Sequence, residues 1–405
     1  MDETPRERVL KAIRHEMPEV TPVNLGGIYG LDRWLTRFGA RDEAGLRDLL
    51  GVDIHSARPV YTGGLAEPGV GIFGTPVDLV FGSDGSGYSS ARGGFPLAEA
   101  STVADIERFP WPDPSQFDYS AAARVLHGVS GGQALRIDMK YGIARADKTL
   151  EECSQSGPWV PLLCSLFDLF GFETTLMNLC AEPVLMEAAV RRIEEFTLEF
   201  ARRSLDATAG LVDIFWYGDD FATQRGMLLS SEQWRRFLKP TYRKVFALAR
   251  SYGATVWFHS CGAFRPVLPD LIDCGMEVWE TVQAHLDGNE PEGLKRDFGR
   301  DLSFYGGVST QTTLPFGSPE EVRSEVRERV RVLGEHGGYI CGPDHGIMPD
   351  VPIENVLAMI DEARRYKAPV PHQPSDGPGE RLANRGRPGI VGEQDGHRRR
   401  VERDT

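Results

Sequence analysis

Short apolar runs alternate along this chain with longer stretches in which apolar side chains recur every three or four positions. The runs at 21–25, 51–56, 135–140, 212–217, 254–259, 277–281, 302–306 and 338–341 read as strands. Between them the clearest helical stretch is 319–336. There Val322, Val326, Val330 and Leu333 make one stripe behind Ser318, with Pro319 at the first helical position and acids in the first turn. The same stripe runs through 182–205 and 231–251. Strands separated by helices of this length pair in parallel through right-handed crossovers. The pattern predicts an α/β chain folded as one (β/α)8 TIM-like barrel over 1–368. An open doubly wound sheet would carry G-x-G-x-x-G after its first strand, and NLGGIYG at 24–30 lacks that spacing.

Two stretches break the alternation. Residues 61–94 are rich in Gly, Ser and Pro, as expected of a long loop insertion beside a binding site. Residues 369–405 carry no apolar stripe and many Gly, Pro and charges, so a disordered tail is expected there.

Charge narrows the partners. With 45 basic and 59 acidic side chains in 405 residues, the formal charge is −14, which argues against nucleic acid or an anionic membrane as partner. A small-molecule substrate fits better. No apolar stretch approaches the ~20 residues of a membrane span, and the opening MDETPRERVLKAIRH holds no apolar leader core. Six cysteines are too few for a disulfide scaffold in a chain this long. The expectation is a reduced, cytoplasmic enzyme of open oligomeric state.

In a barrel the chemistry sits at the C-terminal ends of the strands, and this is where the reactive residues fall. The run ending in Tyr217 delivers Gly218, Asp219 and Asp220. The next delivers His259, Ser260 and Cys261; then come Gln283 and His285, then GGVSTQ ending in Gln311, then Cys341, Asp344 and His345. His259-x-Cys261 puts two metal-type donors on one side of a strand end. Cys341 and His345 offer further donors from the last strand-to-helix loop, and Asp219, Asp220 or Glu280 could add a carboxylate. Asp219 and Asp220 are equally suited to acid–base work or to capping a turn. Tyr217, Gln224, Gln283 and Gln311 are candidates for contacting substrate. No P-loop, H-E-x-x-H or G-x-S-x-G motif occurs.

Several segments then arrive in order: RERVLKAIRHEMPEVTPV at the start, GDDFATQRGMLLS, FHSCGAFRPVLPDLIDCG, FGRDLSFYGGVSTQ and HGIMPDVPIENV. Together they resemble the uroporphyrinogen decarboxylase superfamily, which implies the same barrel with its site in the C-terminal mouth. True uroporphyrinogen decarboxylases carry an arginine-bearing R-Q-A-G-R segment after the first strand, where this chain reads NLGGIYGLDR. The other branch, to which the chain is more similar, comprises zinc-dependent methyltransferases working with corrinoid proteins or thiols. Its sign is H-x-C followed later by a Cys. The resemblance implies Zn2+ on His259, Cys261 and either Cys341 or His345, the latter standing where that branch's terminal Cys stands. It further implies a corrinoid, free or on a partner protein, with Asp219, Asp220 and His345 in catalytic roles. The alternative it leaves is a metal-free decarboxylase or lyase.

Overall fold

The computed structural model describes residues 3–64, 70–81, 87–91, 93–145, 148–154 and 157–367. The expected loop at 61–94 lies partly outside these residues, and the expected tail at 369–405 lies wholly outside them. Seven strands form the main sheet: β1 (Ile54–Ala57), β2 (Ala134–Asp138), β3 (Ile214–Gly218), β4 (Thr255–His259), β5 (Val278–Val282), β6 (Ser303–Val308) and β7 (Tyr339–Pro343). They hydrogen-bond in that order and every pair is parallel. Parallel neighbours need crossovers, supplied among others by the helices Pro183–Ala207, Lys239–Ser251, Pro291–Phe298 and Pro319–Leu333.

The sheet thus has seven strands where eight were expected. The run at 21–25 contributes one parallel bridge, Val23 with Cys341. Its backbone nevertheless meets both edges of the sheet. Cys341 N donates to Pro22 O at 2.8 Å on the β7 side, and Asp53 N donates to Val23 O at 2.9 Å beside β1.

Side-chain alternation sorts the strands into two layers. Ile54, Ala134, Ile214, Trp216, Trp257, Val278, Tyr305 and Ile340 form one buried cluster on the concave side. Their chain neighbours Phe215, Tyr217, Val256, Phe258, Trp279, Phe304, Tyr339 and Cys341 pack outward with the helices. Both faces being covered, β3, β5 and β7 are buried along their whole length, which is why they read as continuous apolar runs. The helix Pro5–Ile13 stoppers the N-terminal end of the strands. Val9, Ala12 and Ile13 join the concave cluster, and Ala12 O accepts from Gly338 N at 2.8 Å. The helix expected over 231–251 is broken at Leu238 into Ser231–Phe237 and Lys239–Ser251, because Pro240 cannot donate into a preceding turn.

Candidate metal centre

Three side chains meet at the C-terminal ends of β3 and β4. His259 ends β4, Cys261 follows it by two residues, and Asp220 follows β3. His259 Nε2 lies 3.6 Å from Cys261 Sγ and 3.8 Å from Asp220 Oδ1. One donor atom from each falls within 4.8 Å of the others, the one such triad of His, Cys or acid donors among the described residues. Asp220 is held in place because its Oδ1 also accepts from Cys261 N at 2.9 Å. Nitrogen, sulfur and carboxylate oxygen are donor types that zinc takes.

The ring of His259 is oriented from behind. Its Nδ1 meets Glu280 Oε1 at 3.2 Å, across the β4–β5 pairing in which the two residues are in register. Burial opposes ionisation of Glu280, but His259, Arg136 and Lys140 outweigh it and hold the carboxyl down at about 2. The carboxylate therefore accepts from Nδ1–H, and Nε2 is presented as a lone-pair donor. Trp159 and Trp216 flank the ring, with centroids at 5.6 and 5.7 Å. Space for this packing is made at Gly218, where an added Cβ would sit 2.9 Å from Trp159 and 3.0 Å from His259 Cβ. Burial, then Asp220, Asp344 and Glu280, push the Cys261 thiol well above its usual range. A thiolate in such surroundings requires a cation beside it. Donor set, convergence and the orienting carboxylate together fit a metal ion.

The other expected site residues are distributed differently. Asp219 is fully buried and points away from the triad. Its oxygens accept from Leu162 N, Leu163 N, Cys164 N and the Tyr242 hydroxyl, at 2.6–3.1 Å. It thereby caps the helix Leu163–Phe170, and burial raises its pKa to about 6. Tyr217 faces the outer layer, against Tyr242, Phe246 and Phe258, so period-two alternation carries it away from the mouth. The same alternation places Cys341 outward. It shares the outer cluster with Tyr339 and Val326, burial pushes its thiol up to about 12, and Glu325 and Arg329 are the charges that act on it. Cys341 is no member of the triad, and neither is His345. The backbone of His345 lies beside Gly26, and burial lowers its pKa. Gln283 is buried and accepts from Gly262 N at 2.8 Å, steadying the loop after Cys261. Gln224 and Gln311 are exposed.

One group was missed in the sequence. Arg136, Asp138 and Lys140 form a row at period two along and just beyond β2, and Arg58 faces them. Asp138 Oδ1 lies 2.7 Å from Arg136 Nε and Oδ2 lies 3.1 Å from Arg58 Nη2. Arg136 also reaches Glu280 at 3.4 Å. Three charges alternating on a strand of a covered sheet must point to its concave side, and that was the available signal.

The family model for uroporphyrinogen decarboxylase matches residues 155–366, just over half of the chain. The chain belongs to the uroporphyrinogen decarboxylase family. Within the family, it is 26% identical over 219 residues to the methylcobamide:CoM methyltransferase MtaA of Methanosarcina barkeri, covering 52% of this chain and 60% of that protein. It is also 24% identical over 191 residues to the uroporphyrinogen decarboxylase of Chlorobaculum tepidum, covering 46% and 51%. The chain thus spans half to three-fifths of the length of these curated relatives. A solved methyltransferase from Methanosarcina mazei superposes with a TM-score of 0.61 at 20% identity, over 89% of this chain and 98% of that one. That likeness concerns the fold.

Proposed function

We propose that the protein is a zinc-dependent methyltransferase that moves a methyl group between a small thiol and a corrinoid, the corrinoid being free or carried by a partner protein. The observation that carries this reading is the convergence of His259 Nε2, Cys261 Sγ and an Asp220 oxygen. Support comes from the similarity to a methyltransferase named for methylcobamide and CoM. We also read the 21–25 segment as closing the seven strands into a barrel, since its backbone meets both edges.

His259, Cys261 and Asp220 would hold the metal, leaving one position for a substrate atom or for the loop bearing His345, as three-ligand catalytic sites do. A bound zinc ion supplies Lewis acidity that keeps a thiol deprotonated at neutral pH. The chain's own residues do the rest. Glu280 retains the Nδ1 proton and fixes the tautomer of His259. Trp159 and Trp216 exclude water from one side of the imidazole. Asp220, whose side chain is 38% exposed, is the open member of the triad, while Asp219 stiffens the loop that positions it.

Metal analysis of the purified chain tests the proposal. Wild type is expected to hold about one zinc per chain, and Cys261→Ala to lose it while melting at the temperature of zinc-stripped wild type. A wild-type chain that takes up no zinc from a zinc-buffered solution overturns the reading. The decarboxylase alternative has weaker support, because Asp219, half of the carboxylate pair it would use, has both oxygens committed to the capping contacts.

A further inference from the structure

The charge at the proposed metal centre changes when a thiol arrives. A divalent ion held by the Asp220 carboxylate and a Cys261 thiolate would be neutral as a unit. A substrate thiol that loses its proton there adds one negative charge beside the Trp159 and Trp216 rings that flank His259. That charge is offset when the proton stays on a nearby base of the chain instead of escaping to solvent. The acids described so far are engaged elsewhere. Glu280 meets His259 Nδ1 at 3.2 Å, and Asp219 spends its oxygens on helix capping.

A base with no such engagement stands beyond β5. His285 lies in the loop between β5 and the helix Pro291–Phe298. Both ends of that loop grip the residue after Cys261. Gln283 Oε1 accepts from Gly262 N at 2.8 Å, and Asn289 Nδ2 donates to Gly262 O at 3.2 Å. His285 Nδ1 lies 3.4 Å from Oδ2 of Asp344, which follows β7 and is fully buried. Asp344 Oδ1 accepts from the Thr310 backbone N and hydroxyl at 2.8 and 2.7 Å. Its Oδ2 accepts no hydrogen bond among the described residues, and a buried carboxylate oxygen left so calls for a cation beside it. The charges around the imidazole are Asp344 and, from the helix Pro319–Leu333, Glu325 and Arg329. The last two are paired with each other at 3.0 Å. Asp344 therefore decides the balance, raising the pKa of His285 against the opposing effect of burial. After burial and Asp220, Asp344 is also the charge that pushes the Cys261 thiol up, so the pair and the triad share one mouth. With Nδ1 turned to Asp344, Nε2 has no hydrogen bond among the described residues, and the side chain is 30% exposed.

We infer that His285, held by Asp344, is the catalytic base that takes the proton of the substrate thiol as the thiol is seated at the metal centre. The S–H bond breaks with its electron pair left on sulfur, and the proton joins the lone pair of His285 Nε2. The imidazolium so formed is held against the Asp344 carboxylate. Nothing is oxidised or reduced in this step, and the proton later leaves to solvent from the exposed edge of the ring. The inference rests on the proposed function in taking a thiol as reactant and this mouth as its site.

The test counts protons. The full zinc-loaded chain is mixed with saturating 2-mercaptoethanol in weakly buffered solution, from about pH 6 to about pH 9, either side of an imidazole's ordinary value. An indicator dye reads the protons released per thiol bound, with 2-(methylthio)ethanol, which has no S–H, as the blank. Wild type should release about one proton at the acid end, where His285 is already charged. At higher pH, where His285 is neutral before the thiol arrives, the count should dip by about half a proton or more. His285→Gln should release about one proton throughout, with unchanged zinc content. Asp344→Asn should move the dip to lower pH, since the carboxylate that raises His285 is gone. A wild type whose count matches His285→Gln at every pH overturns the inference. So does a His285→Gln protein that melts lower yet keeps the wild-type count, because the pair would then be only a brace between the loops after β5 and β7. Zinc-stripped wild type that still binds the thiol with the same dip would sink the metal proposal and leave this one standing. A chain that binds no thiol in either state overturns both.

Discussion

Replacing Glu280 by Gln is the most informative single change, because the side chain keeps its shape and loses only its charge. Glu280 is buried between Arg136 at 3.4 Å and His259 at 3.2 Å. Its pKa falls from an ordinary 4.5 to about 2, which at ~1.4 kcal/mol per pH unit corresponds to about 3 kcal/mol of stability at neutral pH. Removing one partner of a buried ion pair generally costs about 3–5 kcal/mol, the same order. The sign follows from a depressed carboxyl. Its contribution is fully present above pH 4.5 and is lost as pH falls toward 2. Urea unfolding of wild type and Glu280→Gln should therefore differ by about 3 kcal/mol at pH 7, and the gap should narrow below pH 4.5. Zinc competition should show affinity falling roughly 10- to 100-fold, the usual cost of losing a group that orients a metal-bound histidine. A difference below about 1 kcal/mol at pH 7, with zinc affinity unmoved, would refute the account of how His259 is held.

Three other changes separate structural from metal-binding roles. Asp219→Ala should cost about 2–4 kcal/mol, measured by urea unfolding, since it strands three backbone N–H groups and the Tyr242 hydroxyl; zinc content should be retained. Gly218→Ala should destabilise by about 1–3 kcal/mol through overpacking against Trp159 and His259, and should weaken zinc binding because His259 is displaced. Cys341→Ala should cost about 1 kcal/mol in a thermal or chemical melt while zinc stoichiometry stays at the wild-type value, in contrast to Cys261→Ala.

Most of the sheet was legible in the chain because β3 to β7 are covered on both faces and announce themselves as apolar runs. The run at 21–25 looks the same, yet it makes a single bridge; apolarity reports burial and says nothing about how many ladder bonds follow. The pairing of His259 with Cys261 was equally plain, two donors two residues apart. Asp219 and Asp220 could not be told apart by type, since adjacent residues leaving a strand diverge and only the fold decides which one turns toward the mouth. Cys341 misled for the same reason. It stands in the middle of the right strand, on the side that Tyr339 also occupies, facing the helices. The charged row along and just beyond β2 is written in the sequence as Arg136, Asp138 and Lys140 at alternate positions, a spacing that specifies a polar lining.

The helix Pro5–Ile13 at the foot of the strands has a consequence for traffic. With Val9, Ala12 and Ile13 packed into the concave cluster, the reactants of the proposed reaction would approach from the C-terminal end and its products would leave by the same way. A large methyl carrier docking on that end would cover the entrance while it stayed. On the proposed function, small substrate would then have to enter before the carrier arrives, and product would wait for its departure. Initial-rate kinetics with a protein-bound carrier should show compulsory order, whereas a small free carrier should relax it.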